Sequence, residues 1–129
     1  MQKNTFNELG VNSDIVRALS EFGITEPTDI QEKAIPIINS GKDIIGKSKT
    51  GSGKTAAFGI PLINKVIPNK GVQALILAPT RELAVQISRE LGKFGKYSKI
   101  GIATVYGGVS LRPQIRDIAK AEIVVSTPG

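Results

Sequence analysis

Cysteine and histidine are both absent from the 129 residues. The first absence excludes disulfides and thiolate metal sites, and it fits a reducing, cytoplasmic setting. The second excludes histidine-based acid–base catalysis and histidine-ligated metals within the chain. Apolar runs are short. None approaches the roughly 20 residues needed to cross a bilayer, and Met1-Gln2-Lys3-Asn4 lacks the apolar centre of a signal peptide, so no membrane partner is expected. Acidic residues are outnumbered, 11 Asp and Glu against 17 Lys and Arg, which leaves a formal net charge of +6. That balance favours a polyanionic partner, with a merely basic soluble protein as the alternative. The length and the 40% apolar content suffice for one domain with a real core and not for two.

The most informative stretch is Ser48-Lys49-Thr50-Gly51-Ser52-Gly53-Lys54-Thr55. It follows a short apolar run, Asp43 to Gly46, and precedes a helix-like segment from Ala56 to Ile67. Glycine at 51 and 53 permits backbone angles closed to other residues, so successive amide N–H groups can converge on one anion. A helix starting behind them aims its positive dipole end at the same point. Lys54 can then reach the β- and γ-phosphates of a nucleoside triphosphate, and the Thr55 hydroxyl can ligate Mg²⁺. The strict phosphate-loop pattern has glycine where this chain has Ser48.

Five segments carry helical periodicity. One is capped by Ser13 and buries Ile15, Ala18, Leu19 and Phe22. A second starts at Thr28 with Ile30, Ala34, Ile37 and Ile38 inward and Pro36 inside it. A third follows the loop, with Ala56, Ile60, Ile63 and Ile67 on one stripe and Pro61 inside. A fourth starts near Thr80 and buries Leu83, Ile87, Leu91 and Phe94; the fifth starts near Ser110 and buries Leu111, Ile115 and Ile118. Four strands are predicted between them, at 43–46, 72–78, 100–105 and 122–126. The last three are apolar enough for a sheet covered on both faces. Alternating strands and helices imply an α/β fold of parallel βαβ units with right-handed crossovers. Ligands of such sheets gather at the carboxyl ends of the strands. There this sequence puts its loop at 48–55, Pro79-Thr80-Arg81, Gly107-Gly108 and Thr127-Pro128-Gly129.

These segments, in this order, resemble the start of a DEAD-box RNA helicase. Gly23 to Gln31 resembles the Q motif, with Phe6 at the place of an isolated upstream aromatic. Residues 48–55 resemble motif I, Pro79 to Ala84 motif Ia, Gly107-Gly108 the glycine doublet, and Thr127-Pro128-Gly129 the start of motif Ib. The resemblance implies a P-loop NTPase (RecA-like) fold, a parallel sheet with helices on both faces, stopping before the Asp-Glu-Ala-Asp motif. Residues 1–129 would be a partial N-terminal RecA-like domain, with a Q-motif helical layer in 1–41 and a phosphate-loop βαβ core in 42–129.

The resemblance also implies roles. ATP and Mg²⁺ would be the cofactors, with Lys54 and Thr55 as the catalytic pair and Thr55 on the metal. Gln31 would read adenine, since an amide can accept from N6–H and donate to N7. Spacing alone favours another reading, the far end of a capping box, Thr28-x-x-Gln31, and it is the motif context that turns it towards adenine. Phe6 would stack on the base, or be a plain core aromatic. Ile24 replaces a frequent aromatic of the family, and Ser48-Lys49 replace Ala-Gln, with Lys49 expected to point to solvent. The nucleotide set is thus Phe6, Ile24, Thr28, Gln31, Ser48, Lys49, Thr50, Gly51, Ser52, Gly53, Lys54 and Thr55.

Thr80, Arg81, Gly107, Gly108, Thr127 and Gly129 would hold the sugar-phosphate backbone of single-stranded RNA without reading bases. Their plainer readings are an N-cap for Thr80, a salt bridge to Glu82 or another carboxylate for Arg81, and ordinary turns for the rest. The family's Asp-Glu-Ala-Asp motif, its Ser-Ala-Thr motif and its second RecA-like domain with arginine fingers have no counterpart in these 129 residues. The expectation is a helicase parent and a piece with negligible hydrolysis of its own. An open sheet edge prone to self-association is expected too. A non-hydrolysing adenine-nucleotide module and a related DNA helicase are the competing readings.

Overall fold

The computed structural model describes residues 4–51 and 53–129. Three short strands, Ala74–Leu77 (β1), Ile102–Val105 (β2) and Ile123–Ser126 (β3), form one parallel sheet in the order β1-β3-β2. Helix Arg81–Phe94 (α4) carries the chain from β1 past the place of β3 to β2, and Leu111–Ala119 (α5) returns it to the centre. Ahead of the sheet lie Ser13–Glu21 (α1), Asp29–Asn39 (α2) and Lys54–Lys65 (α3).

Alternation along the strands separates two faces. Ala74, Ile123 and Ile102 are in register, as are Ile76 and Val125. They pack with Ile15 and Leu19 of α1, Ile60 and Ile63 of α3, and Ala84, Ile87, Leu91 and Phe94 of α4. The opposite face is thinner: among the described residues its apolar cluster is Ala103, Val124 and Ala121, with Val105 and, from α5, Ile118. Helices therefore stand on both faces, but α5 does not reach β1, so Leu75 and Leu77 remain exposed. This corrects the expectation that β1 is covered on both sides.

Other expectations are corrected by the same packing logic. Residues 43–46 form no strand, and no described strand pairs with them. A four-residue run ending in glycine has no neighbour to supply its ladder, and Ile45 is 97% exposed. Asn12, not Ser13, caps α1, its side chain accepting from the Ile15 N–H at 3.0 Å. Phe22 and Ile37 are exposed, while Gln31 and Ile35 are buried, because α2 lays its 31/34/35 stripe against α3. Ile67 lies past the end of α3 and is exposed. Leu111 and Ile115 are 66% and 62% exposed; the residue α5 buries beside them is Gln114. Both α2 and α3 run on through their proline.

Candidate nucleotide pocket and nucleic-acid edge

The register brings Leu77, Ser126 and Val105 to one level. The Ala78 N–H donates to the Ser126 carbonyl at 2.8 Å and the Thr127 N–H to the Val105 carbonyl at 3.1 Å, so the ladder holds up to the point where the chain turns away. Three turns consequently leave the sheet along one rim: 78–80, 106–110 and 127–129.

On the first turn, Thr80 caps α4 by accepting from the Leu83 N–H at 3.2 Å. Arg81 opens the helix, is exposed, and has its guanidinium carbon 4.5 Å from the centre of the Tyr106 ring. The alternative reading of Arg81, a salt bridge to Glu82 or another carboxylate, is not seen among the described residues, where the ion pair is Lys96 with Glu21. On the second turn Gly107 and Gly108 are exposed, open space surrounds the position of an added Cβ at each, and Gly108 has φ +84°. On the third, Thr127 is half-buried and Gly129 is exposed with φ +88°.

The phosphate loop precedes α3. Gly51 and Gly53 have φ +82° and +88°, a region costly to any residue with a Cβ, and Gly53 occupies the N-cap position in a left-handed conformation. Lys54 is the first helical residue and is exposed; Thr55, next to it, is half-buried. Among its neighbours, Lys49 and Thr50 are exposed and Ser48 is half-buried, while Ser52 lies outside the described residues. The two left-handed glycines, the start of α3 and the exposed Lys54 thus lie next to one another along the chain.

Gln31 joins this loop to α2. Its side chain is 3% exposed. Its Oε1 accepts from the Thr28 N–H at 3.0 Å, completing a capping box, and its Nε2 donates to the Gly53 carbonyl at 3.2 Å. A Cβ at Gly53 would collide with the Gln31 amide and lie 3.2 Å from the Thr28 hydroxyl. The capping role is therefore realised, and it sets the amide beside the phosphate loop.

Phe6 and Ile24 do not join that group. Phe6 is buried in the core with Leu9, Val11, Ile15 and Leu19, as its plainer reading had it. It also lines a cleft of about 220 Å³ with Ile24, Val16 and Thr25, to which Gln31 and the loop do not contribute. A separate apolar hollow of about 290 Å³ lies between α2 and α3, with Lys54 the charged residue among its described lining. Two residues near the rim went unmarked by sequence: Tyr106 and the buried Gln114. A polar residue amid the apolar spacing of α5 was the available signal.

A profile of the DEAD/DEAH box helicase family matches residues 28–129, most of the chain. The chain belongs to that family. It is 47% identical over 127 residues to the DEAD-box ATP-dependent RNA helicase CshA of Geobacillus kaustophilus, a match covering 97% of this chain and 27% of that protein. Among solved structures, a DEAD box protein of Methanococcus jannaschii superposes with TM-score 0.93 at 44% identity, covering 99% of this chain and 36% of the other. A hypothetical ATP-dependent RNA helicase of Sulfolobus tokodaii gives 0.82 at 40% identity, covering 92% and 34%. The fold is accordingly that of RecA-like DEAD-box domains, and the chain spans about a quarter to a third of these relatives. Among the described residues no helix is long and apolar enough to cross a membrane.

Proposed function

We propose that this DEAD-box chain is the ATP-binding portion of an ATP-dependent RNA helicase. It would take an adenine nucleotide at the phosphate loop and the sugar-phosphate backbone of single-stranded RNA along the carboxyl rim of the sheet. The observation that carries this reading is the buried Gln31 amide beside Gly53, bonded to the Thr28 N–H and to the loop carbonyl. An amide has two donor hydrogens and two acceptor lone pairs, so one bond of each kind remains for a purine edge, which this buried amide would meet only as the loop at Gly53 shifts aside.

The roles follow from the donors. Loop amides and the α3 N-terminus would cradle the β- and γ-phosphates, with Lys54 countering their charge. Thr55 would be the protein ligand of Mg²⁺, an ion that keeps several waters and takes its remaining ligands from the phosphates, where it neutralises negative charge. Transfer of the γ-phosphoryl group to water depends on positioning and charge stabilisation, and an arginine finger alone contributes about 10³–10⁵ in rate. The Asp-Glu-Ala-Asp motif is absent from these 129 residues, so this chain on its own would bind nucleotide with negligible turnover. In a protein of its relatives' length, the same site would drive RNA unwinding. A cytoplasmic location belongs to the same reading.

Calorimetric titration with ADP and GDP tests it, on the unaltered chain and on Gln31→Ala. ADP should bind more tightly, and the preference should vanish in the variant. Equal affinities in the unaltered chain would reduce the site to a generic phosphate cradle, and no binding of either would overturn the reading.

A further inference from the structure

Arg81 and Tyr106 come from different crossovers, one opening α4 and the other following β2 directly. An exposed arginine on a flexible stem loses rotamer freedom whenever it must hold one direction. The Tyr106 ring, its centre 4.5 Å from the guanidinium carbon, limits that freedom by drawing the cation to the ring, a contact that uses up none of the five N–H donors.

The backbone that carries the ring is itself held. The Tyr106 N–H donates to Gln114 Oε1 at 3.0 Å, and Gln114 Nε2 donates to the Ser110 carbonyl at 3.1 Å. Gln114 is buried on a helix whose neighbouring Leu111 and Ile115 are exposed. A buried amide is costly unless bonded. This one is bonded at both ends, to the two ends of the glycine turn. One α5 side chain therefore clamps the 106–110 turn, and the first residue of that turn supports Arg81.

We infer that Tyr106, clamped by Gln114, is a positioning residue that aims Arg81 at an RNA phosphodiester and so couples the first and second turns of the rim. The inference rests on reading that rim as an RNA-backbone surface.

The test is fluorescence anisotropy of a labelled ten-residue oligouridylate with the whole chain, between 50 and 200 mM salt. Circular dichroism melts confirm folding of each variant. Tyr106→Leu and Gln114→Leu should each weaken binding about two- to fivefold, the range of an exposed cation–π contact. Tyr106→Phe keeps the ring and should bind like the unaltered chain. Arg81→Ala should weaken binding and flatten the salt slope by about one. Tyr106→Leu should then add nothing to Arg81→Ala. A second readout is the Arg81 Nε–H resonance, shifted by the ring in the unaltered chain and in Tyr106→Phe but not in Tyr106→Leu. The positioning role is overturned, with the RNA reading intact, if Tyr106→Leu has no effect, if it weakens binding equally without Arg81, or if Tyr106→Phe is as damaging. If RNA binds but Arg81→Ala changes neither affinity nor salt slope, or if RNA does not bind at 50 mM salt, the reading of the rim falls as well.

Discussion

The two halves of the candidate ligand face are built by different means. Along the nucleic-acid rim, three parallel strands end level, and every turn leaves from a hydrogen-bonded ladder backed by a buried core. On the nucleotide side residues 43–46 stand outside the sheet, and the loop is tied to α2 through the Gln31 amide and to α3 through chain continuity. Cooperative backbone pairing spreads the first arrangement over many groups. The second rests, among the described residues, on the Gln31 bond to Gly53 and on two left-handed glycines. The rim should accordingly fail when the core fails, and the loop should fail when single atoms are misplaced.

The largest contrast comes from a pair of substitutions. Ile123 is fully buried in the central strand, in register with Ala74 and Ile102. Ile123→Ala should cost about 2–5 kcal/mol, read as a lower urea midpoint, and should weaken RNA and ADP binding together as all three turns loosen. Gly53→Ala places a Cβ at φ +88° against the Gln31 amide. The left-handed conformation alone costs about 1–3 kcal/mol. That variant should lose ADP binding while RNA binding on the rim persists. Loss of both ligands from Gly53→Ala with the melt unchanged would show that the halves are not independent.

The same division explains what could be read in the sequence. The three sheet strands, the rim order of the turns and the Thr80 cap were legible, because β-branched runs and capping residues act locally. The strand at 43–46 was misread because local propensity carries no information about whether a pairing partner exists. On α2 two stripes overlap, the apolar 30/34/37 and the mixed 31/34/35, and contact with α3 selects the second, burying a glutamine that the pattern would leave wet. Gln114 escaped notice for the same reason: its value lies in bonds to Tyr106 and Ser110, which periodicity cannot show. Within the nucleotide set, Gln31 and Thr28 meet the loop because a capping box places them there, whereas Phe6 and Ile24 belong to another cleft.

A smaller effect concerns the edge of the rim half. β1 pairs only with β3 among the described strands, and Leu75 and Leu77 are exposed on the face that α5 leaves open. An unpaired strand edge beside apolar surface is a template for association, and lysine blunts it. Sedimentation velocity at micromolar concentration should show concentration-dependent association, reduced by Leu77→Lys. The stability of that variant should change by no more than about 0.5 kcal/mol, as for other surface positions. A chain that stays monomeric at every concentration would remove the open edge as a distinguishing feature of the rim.

The smallest expected effect tests the contact that ties the N-terminal helical layer to the rim half. Tyr97, beyond the end of α4, donates its hydroxyl to Glu21 of α1 at 2.5 Å. Lys96 pairs with the same carboxylate at 3.3 Å, and the Arg17 guanidinium lies 4.1 Å from the Tyr97 ring centre. The Tyr97 hydrogen bond, ahead of the Lys96 bond and charge, holds the Glu21 carboxyl below its ordinary value of 4.5. A carboxyl depressed in the folded state contributes stability that is present above the unfolded value and lost as pH falls through the folded one. Carboxyl carbon NMR should therefore place the Glu21 titration below 4.5 and return it towards that value in Tyr97→Phe. The melting difference between the two proteins should be largest near neutral pH and should close as pH drops below about 4.5. A difference that instead persists undiminished into acid would show that the Tyr97 hydroxyl acts other than through the ionised Glu21 carboxylate.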